Sequence, residues 1–351
     1  MRLTDEGVMP NNVNNDAASI EAIRAVIRRA GDDARQRYPV LANNNLMGMS
    51  IFLLSVAGIL GCGWAWLEGA MPAWLCIPLV AILTSFLHEL EHDLIHWQYF
   101  KNNKAIHNLM LLGVWVFRPG TINPWIRRRL HFLHHKTSGT AEDLEERGIG
   151  NGHPYGFVRF WVMMDTFTGN LLRVWMFLPA GRRWHSAKRI IASNMPFGVI
   201  TAFVWYSFLL IQLINLLAMP FGGSAPEALL SYADAVTPLI VILIAPFYLR
   251  SFCLNFISSN MHYYGGVDSL LNQTQVLNDW RFLPFQLFCF NFGSTHGIHH
   301  FVVGEPFYIR QLTAKAAHQA FREHGVPFND FGTFARANRF ETAKVGQTAD
   351  A

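Results

Sequence analysis

Charge is what this sequence has least of. Only 15% of its 351 residues are Asp, Glu, Lys or Arg, where a soluble globular domain carries about 25%. Hydrophobic residues make up 51% and aromatics 14%, so the chain is expected in or on a membrane. A net charge of +4 is mild, and no basic face of the kind nucleic acid needs is visible. No nucleic-acid partner is expected. Cysteine is scarce too. Cys62, Cys76, Cys253 and Cys289 lie within or beside apolar stretches and form no CxxC pair. They read as small buried hydrophobes that suit a reducing cytosolic side. That pattern argues against a sulfur-ligated zinc or an iron–sulfur cluster. No GxGxxG fingerprint and no HPGG-type haem segment occurs, so any electrons must arrive from a separate protein. The first forty residues are polar rather than a cleavable apolar leader, so insertion is expected from internal spans.

Against this greasy background stand three histidine clusters: His88-Glu89-Leu90-Glu91-His92, His131-Phe132-Leu133-His134-His135 and His296-Gly297-Ile298-His299-His300. Imidazole is costly to gather in an apolar chain unless something binds it. On a helix, His88 and His92 share one face, and His96 continues it by another turn. Each HxxHH box likewise offers two helical neighbours plus a doublet that can feed an adjacent ion. One ion needs three or four protein ligands. Eight histidines are too many for one and suit two. Imidazole nitrogen fits zinc, iron, copper or nickel, so the ligands alone do not name the metal. His262, in Ser259-Asn260-Met261-His262-Tyr263-Tyr264-Gly265, is a further candidate at the end of an apolar stretch. The isolated His107, His153, His185, His318 and His324 read as surface or core residues.

Four spans are expected: Leu46–Trp66, Ala73 through Leu87, Phe197–Met219 and Val236–Phe252, the last with Pro246 as a kink. The first is long enough to cross the roughly 30 Å hydrocarbon core at about 1.5 Å per residue, and the second runs straight on into the first histidine box. Ala105–Phe117 is too short to cross, and Tyr155–Leu178 is broken by Asp165, Asn170 and Arg173, so both read as interfacial. Lys and Arg crowd the arm (Arg24, Arg28, Arg29, Arg35, Arg37) and the stretches after the second span and before the third. Glu68–Pro72 and Phe221–Ala235 contain none. The positive-inside rule then puts those two loops outside, and the histidine boxes with both termini in the cytoplasm. The expected fold is all-α and integral to the membrane, inner or plasma if bacterial: two helical hairpins, interfacial helices and a cytosolic histidine-rich metal cap. Residues 1–44 form a polar arm whose helix carries the apolar stripe Ile20, Ile23, Val26 and Ile27, suited to a membrane surface or to docking. Residues 45–310 form the membrane domain, and 311–351 a C-terminal helix with a polar, disordered tail after Phe340.

In their order between membrane hairpins, HELEH, HFLHH, NMHYYG and HGIHH resemble the membrane fatty acid desaturase and hydroxylase superfamily. The resemblance runs from about Ser50 to Arg310. It implies two non-haem irons, dioxygen as co-substrate, and oxidation of a fatty acid or fatty acyl thioester. The ligands it implies are His88, His92, His131, His134, His135, His262, His296, His299 and His300. His96, Glu89, Asp143 and Glu145 are left as additional ligands or as partners of the ligating imidazoles, alongside Glu91 and Asp93. Thr140 could instead cap an ordinary solvated helix over the Asp143–Glu145 run. In acyl-CoA desaturases of this superfamily an asparagine four residues before the equivalent of His262 helps hold a water; here that residue is Ser258.

The resemblance implies C–H abstraction giving an olefin. Hydroxylation, or decarboxylation of a free fatty acid to a 1-alkene as in the desaturase-like bacterial decarboxylases, stays open, because the outcome depends on which carbon is presented. An external ferredoxin- or cytochrome-type donor with its reductase is implied, and Arg127-Arg128-Arg129 could dock it or anchor the membrane face. Trp64, Trp66, Trp115, Trp125, Trp161, Trp175 and Trp205 could line a substrate channel or anchor at the interface. Two other classes compete. His88-Glu89-Leu90-Glu91-His92 matches the HExxH of zinc hydrolases, with Glu89 as general base, but that leaves six histidines idle. A metal transporter would carry its ionisable residues near the midplane of the spans rather than at their ends.

Overall fold

A computed structural model describes residues 11–340, with side chains described from Asp16 onward. Among these residues every regular element is helical, and strand-like pairing is confined to two isolated bridges, His262 with Thr274 and Val276 with Phe328. The tail after Phe340 lies outside the described residues.

α1 (Asn11–Arg37) is the arm helix. Its stripe faces protein: Ile23 and Ile27 are fully buried with Ile298, Phe301, Ala317 and Phe321. Arg24 Nε donates to the Phe301 carbonyl at 3.0 Å, and Arg35 pairs with Glu305 at 2.6 Å. Burying two isoleucines is worth about 1.5–3 kcal/mol each, so docking is the reading the fold takes.

Four helices are long and apolar enough to cross a membrane. α2 (Asn44–Leu67) starts where the Asn43 side chain accepts the Leu46 N–H. It turns at Glu68 into α3 (Ala73–Ile95), which ends in the first histidine box. α2 leaves Leu53, Leu54, Leu60 and Trp64 exposed, an apolar face that lipid covers. Between helices in lipid the hydrophobic effect is weak, so close packing must hold them together. Gly58 of α2 shows how: a Cβ there would lie 2.9 Å from the Leu83 side chain of α3.

α4 (Lys104–Val116), capped by Asn103, is 13 residues long and cannot span. α5 (Pro124–Thr137) carries the second box, capped by Asn123 with Pro124 in its first turn. α6 (Leu144–Gly148) is a short turn capped by Asp143 rather than by Thr140. The aromatic stretch after it divides at Asp165, which ends α7 (Phe157–Met164) and caps α8 (Thr166–Phe177) by accepting the Phe167 N–H at 2.9 Å. α9 (Ala180–Asn194) leads into the third long helix, α10 (Phe197–Ala218).

The fourth apolar helix differs from expectation. It runs continuously over Glu227–Met261, 35 residues, as α11 (Glu227–Leu239), a π turn (Ile240–Ile244) and α12 (Ala245–Met261). Proline has no N–H and its ring crowds the carbonyl four residues back. The π turn lies directly before Pro246, where the wider i→i+5 spacing accommodates the missing bond. The span therefore passes its prolines and carries on to His262. α13 (Leu283–Gln286) is one turn, α14 (Phe292–Phe301) carries the third box, and α15 (Phe307–Glu323) closes the cap over α14 and α1. A boundary at residue 310 would cut α15.

Candidate metal centre

Helix ends converge here. α3 brings His88 and His92, and its C-cap brings His96. α5 brings His131, His134 and His135, the end of α12 brings His262, and α14 brings His296, His299 and His300. Two sets of four result. His92, His96, His131 and His299 form one; His134, His262, His296 and His300 form the other. Within each set the ring nitrogens lie within 4.8 Å of one another. Seven of these eight are buried and His96 is half-buried. His135 borders the first set, its Nε2 3.0 Å from that of His299 and 3.2 Å from that of His131.

His88 stands outside both sets. Its Nδ1 is 3.2 Å from Nη2 of Arg118, a group that can only donate, and its ring lies tilted against Phe292, with centroids 6.0 Å apart. His96, the C-cap one turn beyond His92, joins the first set, while Nε2 of His88 is buried without a protein hydrogen-bond partner and lines the cavity beside the histidines. His107 and His318 are core residues: His107 sits against the Tyr99 carbonyl at 2.9 Å and His318 against the Ser294 carbonyl at 2.7 Å.

Carboxylates fix the rings from behind. Nδ1 of His134 donates to Asp143 Oδ2 at 2.8 Å, and Nδ1 of His131 to Glu145 Oε2 at 2.8 Å. Nδ1 of His262 lies 2.9 Å from the Ser258 carbonyl and 3.3 Å from Glu146 Oε2. A ring that donates from Nδ1 presents a bare lone pair at Nε2. Burial opposes charge on His134, but the Asp143 hydrogen bond and carboxylate overcome it and raise its pKa to about 9. Burial and then neighbouring imidazoles push His96 and His135 down to about 2, so both rings are neutral. Against the penalty of burial, His131 and Arg127 hold the Glu145 carboxyl well below its usual range.

A cation fits this arrangement. Nε2 of His262 faces Nε2 of His300 at 3.2 Å, and Nε2 of His131 faces that of His96 at 2.9 Å. With the Nδ1 protons of His131 and His262 committed elsewhere, lone pairs converge with too few protons between them. Both nitrogens of His92, and Nδ1 of His296 and His299, are buried without a protein hydrogen-bond partner. Two four-nitrogen sets can each take one transition-metal ion.

The remaining acids do other work. Glu89 and Asp93 pair with the buried Arg310 at 3.0 and 3.2 Å. Glu89 is thus held by Arg310 rather than turned to the histidines as the base of an HExxH site. Glu91 binds Arg118 and, at 3.1 Å, Arg127, which reaches on to Glu145 at 3.4 Å. The triple-arginine run is consequently no free patch: Arg127 is inside this network, and Arg128 lies over the Trp97 ring with Nη2 2.7 Å from His107. Sequence reasoning missed Glu146 and Arg310. The signal for Glu146 was present, since it follows Asp143 and Glu145 within one helical turn.

A cavity of about 750 Å³ opens beside the histidines. His88, His92, His131, His134 and His296 form its floor; Ile122, Ile126, Leu130, Val174 and Ile190 are among its apolar walls, and the exposed Arg129 and Arg189 stand at its mouth. None of the tryptophans lines it; Trp64 is exposed on α2 and Trp115 is buried in the protein core.

In a comparison with protein families, residues 68–332 fit the family described as Fatty acid desaturase. The match covers well over half of the chain, including all three boxes and His262, and the chain belongs to that family. No curated protein matches it.

Proposed function

We propose that this member of the fatty acid desaturase family uses dioxygen to take two hydrogens from a fatty acid or fatty acyl chain, leaving an olefin. The family supports oxidation of fatty acyl chains at the coarser level. The observation that carries the finer reading is the meeting of two four-histidine sets with one largely apolar cavity. Two non-haem irons would supply the dioxygen activation that an unactivated C–H bond demands, which zinc, without redox chemistry, cannot. His92, His96, His131 and His299 would hold one ion, with His135 at its edge; His134, His262, His296 and His300 would hold the other.

Asp143 and Glu145 set the tautomer and aim of His134 and His131, and the Ser258 carbonyl does so for His262, with the Glu146 charge beside it. The Glu91–Arg118–Arg127 network ties α3 to α5, so the two boxes cannot drift apart. The cavity walls exclude water and bring an alkyl chain alongside the histidines. In the balance, two substrate hydrogens, dioxygen, two electrons and two protons give the olefin and two waters. The electrons come from an external ferredoxin- or cytochrome-type donor with its reductase. Following the charge distribution, the histidine face and both termini lie on the cytoplasmic side.

A second reading has one observation in its favour, a buried cation in the cavity wall. A fatty acid oxidised next to its carboxylate loses carbon dioxide: carboxylate, dioxygen, two electrons and three protons give a 1-alkene, carbon dioxide and two waters. Gas chromatography of products from cells expressing the chain separates these readings, since an internal olefin, a 1-alkene and a hydroxy acid elute apart. Turnover of a fatty substrate without oxygen would contradict all of them.

A further inference from the structure

Four of the largest fully buried side chains are arginines: Arg118, Arg159, Arg250 and Arg310. A buried guanidinium without a counter-charge is strongly unfavourable, so each needs an account. Arg118 has Glu91, and Arg310 has Glu89 and Asp93. Arg159 donates to the His153 carbonyl and the Asn338 side chain and lies over the Tyr155 ring at 4.0 Å. Arg250 has no such company. Its Nη2 reaches only the neutral Ser251 hydroxyl at 2.9 Å, and its Nε and Nη1 are buried without a protein partner.

Its surroundings deepen the imbalance. Arg118, Arg127 and Glu91 are the neighbouring charges, and Glu91 already carries both other arginines. Three guanidinium groups thus gather around one carboxylate, with Glu145 shared between Arg127 and His131. Arg250 also lies inside a membrane-crossing helix, where an ionisable residue usually marks a ligand path. It lines the cavity that His88, His92, His131, His134 and His296 enter, and its neighbours along α12, Phe247 and Leu254, are apolar cavity walls.

We propose that Arg250 anchors the carboxylate of the substrate, so that the cavity takes a free fatty acid with its ionised head inside, beside the histidines. The proposal rests on the oxidation reading above and narrows its substrate. An acyl thioester has no charge at the carbonyl to offer Arg250. A carboxylate supplies the missing counter-charge and places the carbons next to the acid, rather than mid-chain carbons, nearest the metal sets.

Equilibrium binding on the iron-loaded protein in detergent, without oxygen or reductant, tests this with dodecanoate and methyl dodecanoate as probes. Wild type should bind the acid at least ~10-fold more tightly than the ester, as a charge-assisted pair requires. Arg250→Met should weaken acid binding by ~10–100-fold and leave ester binding and iron content unchanged, with Arg250→Lys between. Equal binding of acid and ester by wild type, or undiminished acid binding by Arg250→Met, overturns the proposal. The acid–ester comparison needs no variant, so it stands even where Arg250→Met fails to fold. Charge-selective binding that depends on Arg250, in a wild type that consumes no dioxygen with any fatty substrate, supports the carboxylate site while sinking the oxidation reading. Dioxygen consumption with charge-blind binding does the reverse.

Discussion

Oε2 of Glu146 lies 3.3 Å from Nδ1 of His262, while its Oε1 accepts the Ser258 hydroxyl at 3.1 Å. The carboxylate thus holds the Ser258 hydroxyl and sets a negative charge beside His262, whose Nδ1 lies nearer the Ser258 carbonyl, at 2.9 Å. Glu146→Gln keeps the shape and removes the charge that favours a donating Nδ1. Losing such a partner typically costs ~10–100-fold in metal affinity or activity. Iron titrated into the purified variant should show one site weakened by that factor and the other unchanged. Identical titrations for variant and wild type would remove Glu146 from the site.

His134 and His299 belong to different sets, so their loss should be separable. Each alanine variant should retain about one iron per chain and lose oxygen consumption, and the double variant should retain almost none. The same assay ranks the ambiguous residues. His96→Ala should behave like His92→Ala, because both sit in the first set. His88→Ala should keep both irons, since that ring is turned to Arg118. Full iron and full turnover in His134→Ala or His299→Ala would sink the two-set assignment.

The fold was legible wherever chain chemistry is local. The presence of four apolar spans and the break at Asp165 follow from hydropathy and capping. What periodicity could not give was tertiary. Whether α1 would face lipid or protein depended on Phe321 and Ile298, nearly 300 residues away. Which of His88 and His96 stands nearer the other rings is likewise a matter of folded distances, with Arg118 against Nδ1 of His88 and His96 among His92, His131 and His299. Pro246 was legible as a local irregularity, but the π turn over Ile240–Ile244 that precedes it was not. Arg250 was illegible for the same reason as Arg118: its meaning lies in which carboxylates are near, and only folded distances reveal that.

Arg310 is the shared counter-ion of Glu89 and Asp93, all three buried between α3 and α15. Asp93 has other support, accepting the Tyr99 hydroxyl at 2.8 Å and the Phe307 N–H at 2.9 Å. Glu89 has none. Breaking a buried pair by removing one partner costs about 3–5 kcal/mol, because the other charge stays buried. Arg310→Met should therefore lower the unfolding midpoint in mixed lipid–detergent micelles by a corresponding margin. Adding Glu89→Gln should recover much of it, because the orphaned charge is then gone. An Arg310→Met variant as stable as wild type would show that water reaches Glu89.

Metal removal separates the redox reading from any hydrolytic one. Stripping the protein with a strong chelator should abolish oxygen consumption, and ferrous iron should restore it. Zinc binds the same nitrogens readily but cannot cycle its oxidation state. Zinc-loaded protein should therefore fold and fill both sets, yet consume no dioxygen with any fatty substrate. The tightly bound zinc should also block later reactivation by iron, since on the usual order of affinities zinc outcompetes ferrous iron for such sites. Oxygen-electrode traces on stripped, iron-loaded and zinc-loaded samples provide the comparison. Oxygen-consuming activity restored by zinc alone would end the diiron reading, because no electron could then pass through the metal.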